Sequence, residues 1–142
     1  MPPFIQRLLG LPSWRAFDVD DEGRVLAGSD QSGSVQLVEI APDGTTGTPL
    51  TALPGTVSGR YLPGERTVVI EHDTDGDERA QLSLLRLDRT RTEPATWNDL
   101  TPVVRDPRHV HRLLDVAAGR IVYTTNRRNG VDFDVLIRST VT

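Results

Sequence analysis

The chain has 142 residues, and its 16 basic side chains, all arginine, stand against 20 Asp and Glu for a net charge of −4. That length suits one ordinary domain, and the mild acidity removes the attraction that non-specific binding to nucleic acid or to an anionic membrane would need. The absence of cysteine excludes disulfides, thiolate metal sites and a cysteine nucleophile, so histidine is the only strong nitrogen ligand.

The opening segment, residues 1–12, carries Phe4, Ile5, Leu8, Leu9 and Leu11, but Gln6 and Arg7 interrupt the run and no small-residue cleavage pattern follows. It reads as an N-terminal arm rather than a signal peptide. No other window approaches the ~20 apolar residues of a membrane span. A soluble, cytoplasmic protein is expected.

From Trp14 onward one grammar recurs three times: a strand, a Gly-containing turn, an arginine, a β-branched run, a polar Gly loop and a second apolar run. The first unit has Trp14 to Val19, Gly23-Arg24, Val25-Leu26-Ala27, a loop around Gly33, and Val35 to Ile40. The second has Val57 to Leu62, Gly64, Arg66, Thr67 to Ile70, a loop around Gly76, and Leu82 to Leu87. The third has His111 to Val116, Gly119-Arg120, Ile121-Val122-Tyr123, a loop around Gly130, and Phe133 to Arg138. Pro49-Leu50-Thr51 and Asp99-Leu100-Thr101 repeat a Leu-Thr pair and suit an outer fourth strand, which the third unit lacks.

Turn glycine to loop glycine is 10, 12 and 11 residues, whereas the loop glycines are 43 and 54 apart. A hairpin's register fixes the first spacing, and insertions are expected to collect between units. Four short strands per repeat of roughly 40–50 residues is the pattern of a β-propeller blade. The expected fold is all-β: a partial propeller of about three four-stranded antiparallel blades, the last incomplete, spanning approximately 13–53, 54–102 and 108–142. A β-sandwich with regular turns is the alternative.

Asp21-Glu22-Gly23-Arg24-Val25-Leu26-Ala27 resembles the S-P-D-G-R-x-x-A turn and strand of propeller repeats in the prolyl oligopeptidase family of serine peptidases. Asp75-Gly76-Asp77-Glu78-Arg79-Ala80-Gln81-Leu82 is similar to a loop and third strand of its acylaminoacyl-peptidase-like members, and Trp97 to Pro102 looks like their outer strand. The resemblance implies a propeller that gates a serine-hydrolase domain acting on short peptides. It also implies the partners: the remainder of the propeller, a C-terminal hydrolase domain and peptide substrates. This chain has no Gly-x-Ser-x-Gly elbow, since none of Ser29, Ser32, Ser34 and Ser58 has glycine at both −2 and +2. No catalytic residue can be assigned, and these residues are expected to be inactive alone.

Under that resemblance the loops Asp30 to Ser34, Asp73 to Arg79 and Asn126 to Asp132 form one rim, with Glu78, Arg79, Arg127 and Arg128 as substrate-binding candidates. Open blades also expose sheet faces, so self-association is expected. Other readings are a non-enzymatic propeller-repeat interaction module and a sugar- or lactone-directed propeller with a central metal.

No cofactor or metal is expected. Asp73 to Asp77 begins like a calcium loop, but Glu78 stands where an EF-hand needs glycine and Leu84 where it needs glutamate. Asp18 to Gly23 reads as a turn. His109 and His111 would share one face of a strand, yet Arg105, Arg108 and Arg112 make that surface cationic and no third ligand is evident. Seven aromatic residues and no basic run leave no platform for nucleic acid.

Overall fold

The computed structural model describes residues 13–74, 76–89 and 91–141; the expected N-terminal arm lies outside them. Among the described residues eleven strands form three antiparallel sheets. Sheet 1 contains β1 (Trp14–Val19), β2 (Val25–Ser29), β3 (Gln36–Ile40) and β4 (Gly47–Pro49). Sheet 2 contains β5 (Val57–Tyr61), β6 (Thr67–His72), β7 (Gln81–Arg86) and β8 (Thr101–Val104). Sheet 3 contains β9 (His111–Ala117), β10 (Arg120–Thr125) and β11 (Asp134–Ser139). In every sheet the spatial order follows the chain order, so each unit is a meander and sheet 3 stops at three strands.

The glycine spacing has a backbone cause. Gly23, Gly64 and Gly119 in the first turn, and Gly33, Gly76 and Gly130 in the second loop, all have φ between 70° and 110°. A Cβ is strained there, so the turn chemistry fixes glycine twice in every unit.

The three ladders share a register. Trp14 pairs with Ser29 and Ser29 with Gln36; Val57 with His72 and His72 with Gln81; His111 with Thr125 and Thr125 with Asp134. Counting from these rungs gives equivalent positions on two faces, and the side chains divide accordingly. Leu26 and Leu37 of sheet 1 meet Val68, Ile70 and Leu85 of sheet 2 in one core. Val69, Leu82 and Leu84 turn the other way and meet Ile121 and Tyr123 of sheet 3 in a second core, with Leu136 packed beside them. Sheet 2 is therefore the middle of a stack and apolar on both faces, as a strand covered twice must be. Packed sheets in sequence order are a coarse propeller-like arrangement.

Polar joints cross both junctions. At the first, Tyr61 N donates to Asp18 Oδ2 at 2.9 Å, Arg66 forks onto Glu39 at 2.7 and 2.9 Å, and the Tyr61 hydroxyl donates to Glu39 at 2.7 Å. Burial opposes charge on Glu39, but the hydrogen bonds from Arg66 and Tyr61 outweigh it and hold the carboxyl below its usual range. At the second, Glu71 accepts from Arg112 Nη1 at 2.8 Å and from Leu113 N at 3.0 Å.

A buried glutamine opens the third strand of sheets 1 and 2. Gln36 Nε2 donates to the carbonyls of Leu53 and Gly55, and its Oε1 accepts from Leu53 N. Gln81 Nε2 donates to the carbonyls of Asp106 and His109, and its Oε1 accepts from Asp106 N. Both clamp the segment that leads to the next sheet, satisfying backbone groups that have no ladder partner.

Three expectations need correction. Extra residues do not gather between units: the connectors 50–56 and 105–110 are nearly equal, while the loop from the third to the fourth strand grows from residues 41–46 to 87–100. Of the segment read as outer strand, Thr101 and Pro102 do open β8, but Trp97 to Asp99 is a 3-10 turn, capped where Asp99 Oδ2 accepts from Thr96 N at 2.8 Å. The first outer strand ends at Pro49, before the Leu-Thr pair, because Leu50 turns into the core and Thr51 bonds Gln36 and Leu37.

Two substitutions test this account by denaturant unfolding. Leu82→Ala, at 0% exposure in the second core, should cost about 2–5 kcal/mol. Gln81→Leu should cost at least about 1–3 kcal/mol by stranding the Asp106 amide and its neighbouring carbonyls. An unchanged midpoint in either would refute the packing or the clamp.

Candidate functional site

The loops between second and third strands lie at one end of the stack. The β6–β7 loop is drawn to the start of sheet 3 by His111 N, which donates to the carbonyl of Ala80 at 2.9 Å. There a cleft of about 240 Å³ is lined by residues including Ser58, Glu71, His72, Asp73, Glu78 and Arg112. Three carboxylates thus face one arginine. Glu71 is already committed to Arg112 and Leu113, and Asp73 Oδ1 accepts from Thr56 N at 2.9 Å. Among the described residues Glu78 has no side-chain hydrogen bond or ion pair. It sits at φ 59°, the sole non-glycine residue there with positive φ, a conformation that costs free energy and persists only where surroundings impose it.

Of the residues expected at the rim, Glu78 lines this cleft. Arg79 is exposed beside it, its amide bonded to Asp77 Oδ1 at 2.9 Å. Arg127 and Arg128 occupy the β10–β11 loop at the same end. Arg127 N donates to Thr125 Oγ1, while the Arg128 guanidinium grips Asp134 with bonds of 3.0 and 3.1 Å. That pairing raises the Arg128 pKa and lowers that of Asp134.

Sequence reasoning missed a buried polar cluster behind the cleft. His72 Nε2 lies 2.9 Å from Ser83 Oγ, and Arg105 reaches the same oxygen through Nε at 3.2 Å and Nη2 at 3.1 Å. Arg105 stacks 4.1 Å over the Trp97 ring, and the His72 ring meets Trp97 edge-on. The guanidinium only donates, so Ser83 Oγ accepts from it and donates its own hydrogen to His72 Nε2. This assigns the neutral tautomer with hydrogen on Nδ1, the atom without a partner.

The chemistry of that pair is structural. Ser83 is wholly buried and its lone pairs face a cation, so it is not an activated nucleophile. Burial, reinforced by the Arg105 charge, pushes His72 down from 6.5 to about 4. His109 lies in the turn before β9 rather than on the strand, paired with Asp106 at 2.7 Å, while His111 is buried beside Tyr123. The two do not share a strand face. Among the described residues no group of three His, Asp or Glu is placed to hold a metal, and no helix is long and apolar enough to cross a membrane. The possible calcium loop includes Asp75, outside the described residues; Asp77 within it accepts from Thr74 N and Arg79 N.

No family model matches the chain, and no curated protein matches it.

The His72 environment sets a pH dependence. Unfolded, the ring titrates near 6.5; folded, near 4. Stability should therefore be full above about pH 6.5, fall as pH drops toward 4 by roughly 3 kcal/mol, and gain no further loss from this group below that. Denaturation at pH 7 and pH 4.5 should give a smaller difference for His72→Gln than for the native chain. An equal difference would refute the assignment.

Proposed function

We propose that this chain is a non-catalytic part of a β-propeller serving a serine peptidase of the prolyl oligopeptidase family as scaffold and entry gate for short peptides. Three stacked antiparallel sheets support the scaffold role. The turn and strand that carry the resemblance, Asp21 to Ala27, fold as a Gly23 turn leading into β2. The hydrolase domain and the cytoplasmic setting are part of the same proposal.

One observation carries the gate role: the cleft between sheets 2 and 3 holds a carboxylate, Glu78, that has no partner among the described residues and stands in a conformation the fold must impose. A carboxylate beside Asp73 and Glu71 suits a protonated amino terminus, whose three N–H donors need acceptors. Arg79 and Arg127 on the flanking loops suit the peptide's carboxylate. Arg128 contributes less, being already paired with Asp134.

Calorimetric titration with a short peptide, free or acetylated at its amino terminus, tests this reading. The free form should bind at least about tenfold more tightly, and Glu78→Gln should remove the preference while leaving the melting temperature within a few degrees. Equal binding of both forms would overturn the gate role. Turnover of chromogenic peptides, blocked by a serine-directed reagent, would overturn the non-catalytic reading.

A further inference from the structure

The common register shows that sheet 3 repeats the docking face of sheets 1 and 2 with no described residue packed over Val135 and Ile137. Counted from the first rung, Leu26, Val69 and Val122 are equivalent on the second strands, and Leu37, Leu82 and Val135 on the third. The sheet 1 and sheet 2 members are wholly buried against the following sheet, whereas Val135 is 63% exposed and its neighbour Ile137 is 69% exposed. The inner strands repeat as well. β1 bulges at Phe17 before Asp18, and β9 bulges at Leu114 before Asp115. Each aspartate accepts the next backbone N–H through Oδ1, Val19 N at 2.8 Å and Val116 N at 2.9 Å. Phe17 packs into the core against sheet 2 and Asp18 holds Tyr61 N, whereas Leu114 is 50% exposed and Asp115 lies on the surface, paired with Arg60 of its own chain at 3.2 Å.

The opposite end of the stack carries the complementary face. Trp14 is equivalent to Val57 and His111, which are 0% and 1% exposed because each meets the preceding sheet, yet Trp14 is 51% exposed. On the same face, Val25, Val38 and Ile40 are half-buried. One chain thus holds both halves of the contact that it twice makes internally.

We propose that this chain associates with itself head to tail, the open face of sheet 3 in one copy receiving the Trp14 face of sheet 1 in the next. The proposal does not depend on the peptide-gate reading; in a longer chain, further sheets would take the place of the second copy on both faces. A heterologous contact of this kind closes into a ring or extends as an open stack, according to the angle between copies. Its centre is an aliphatic patch against a tryptophan, the side chain most enriched at sites that dominate binding.

Light scattering on the full chain from low to high micromolar concentration tests it. The mass should rise with concentration above that of one chain. Ile137→Glu and Trp14→Glu should each weaken association by about tenfold or more, with unchanged circular dichroism. Mixing the two variants should restore a one-to-one complex, because one retains the sheet 1 face and the other the sheet 3 face. Val135→Glu and Trp14→Ser repeat the test should either first variant misfold. A native chain that remains monomeric throughout would overturn the proposal, as would a mixture that fails to associate. Trp14→Glu dimerising as well as the native chain would also overturn it, since sheet 3 would then be pairing with its own copy.

Discussion

The structure depends on sheet 2 being apolar on both faces. Each sheet has two faces because strand side chains alternate, and an outer sheet of the stack needs only one of them buried. In β6, Val68 and Ile70 serve the first core and Val69 the second; in β7, Leu85 serves the first while Leu82 and Leu84 serve the second. A shift of one residue in the pairing of either strand would exchange the two cores and bring Ser83 toward sheet 3. The burial of both faces thus holds the register of the whole chain.

Polar side chains then fix where the stacked sheets sit along one another. Asp18 and Glu39 grip Tyr61 and Arg66 at one junction, and Glu71 grips Arg112 and Leu113 at the other. Dispersion between aliphatic surfaces tolerates sliding; a forked carboxylate does not. The second grip shapes the candidate site, because it draws the first residues of β9 against the end of β6 and leaves a cleft where Glu78 has no partner among the described residues. The same local economy keeps Ser83 and His72 out of chemistry: an oxygen facing a guanidinium is a poor nucleophile however close an imidazole lies.

Much of this fold was legible in the sequence, and the misses have physical causes. β1 and the hairpins read correctly because β-branched runs flanked by glycine at fixed spacing encode both strand and turn. The outer strands were displaced by a few residues because edge pairing imposes little pattern: Leu50 and Leu100 of the Leu-Thr pairs are plugs in the first core, the first strand ending before its pair and the second starting at Thr101. The turn at Trp97 carried a usable signal, Thr96 followed three residues later by Asp99. At the rim, the position of Glu78 on the β6–β7 loop was legible. Its unusual backbone, the Asp134 partner of Arg128 and the Ser83–His72–Arg105 cluster were not, because they depend on pairings and loop paths that residue spacing alone does not fix.

The long passage between β7 and β8 has an evolutionary corollary. Gln81 secures one side of the unit, and Ala95 ties the returning chain to Leu50 and Ala52 by backbone hydrogen bonds of 2.8 Å. The intervening Asp88, Arg89, Arg91, Thr92 and Glu93 are exposed and bear none of the core. Added length there is opposed chiefly by loop closure, which rises only with the logarithm of length. Codons added along this margin would lengthen a surface loop and leave the side chains of both cores where they are.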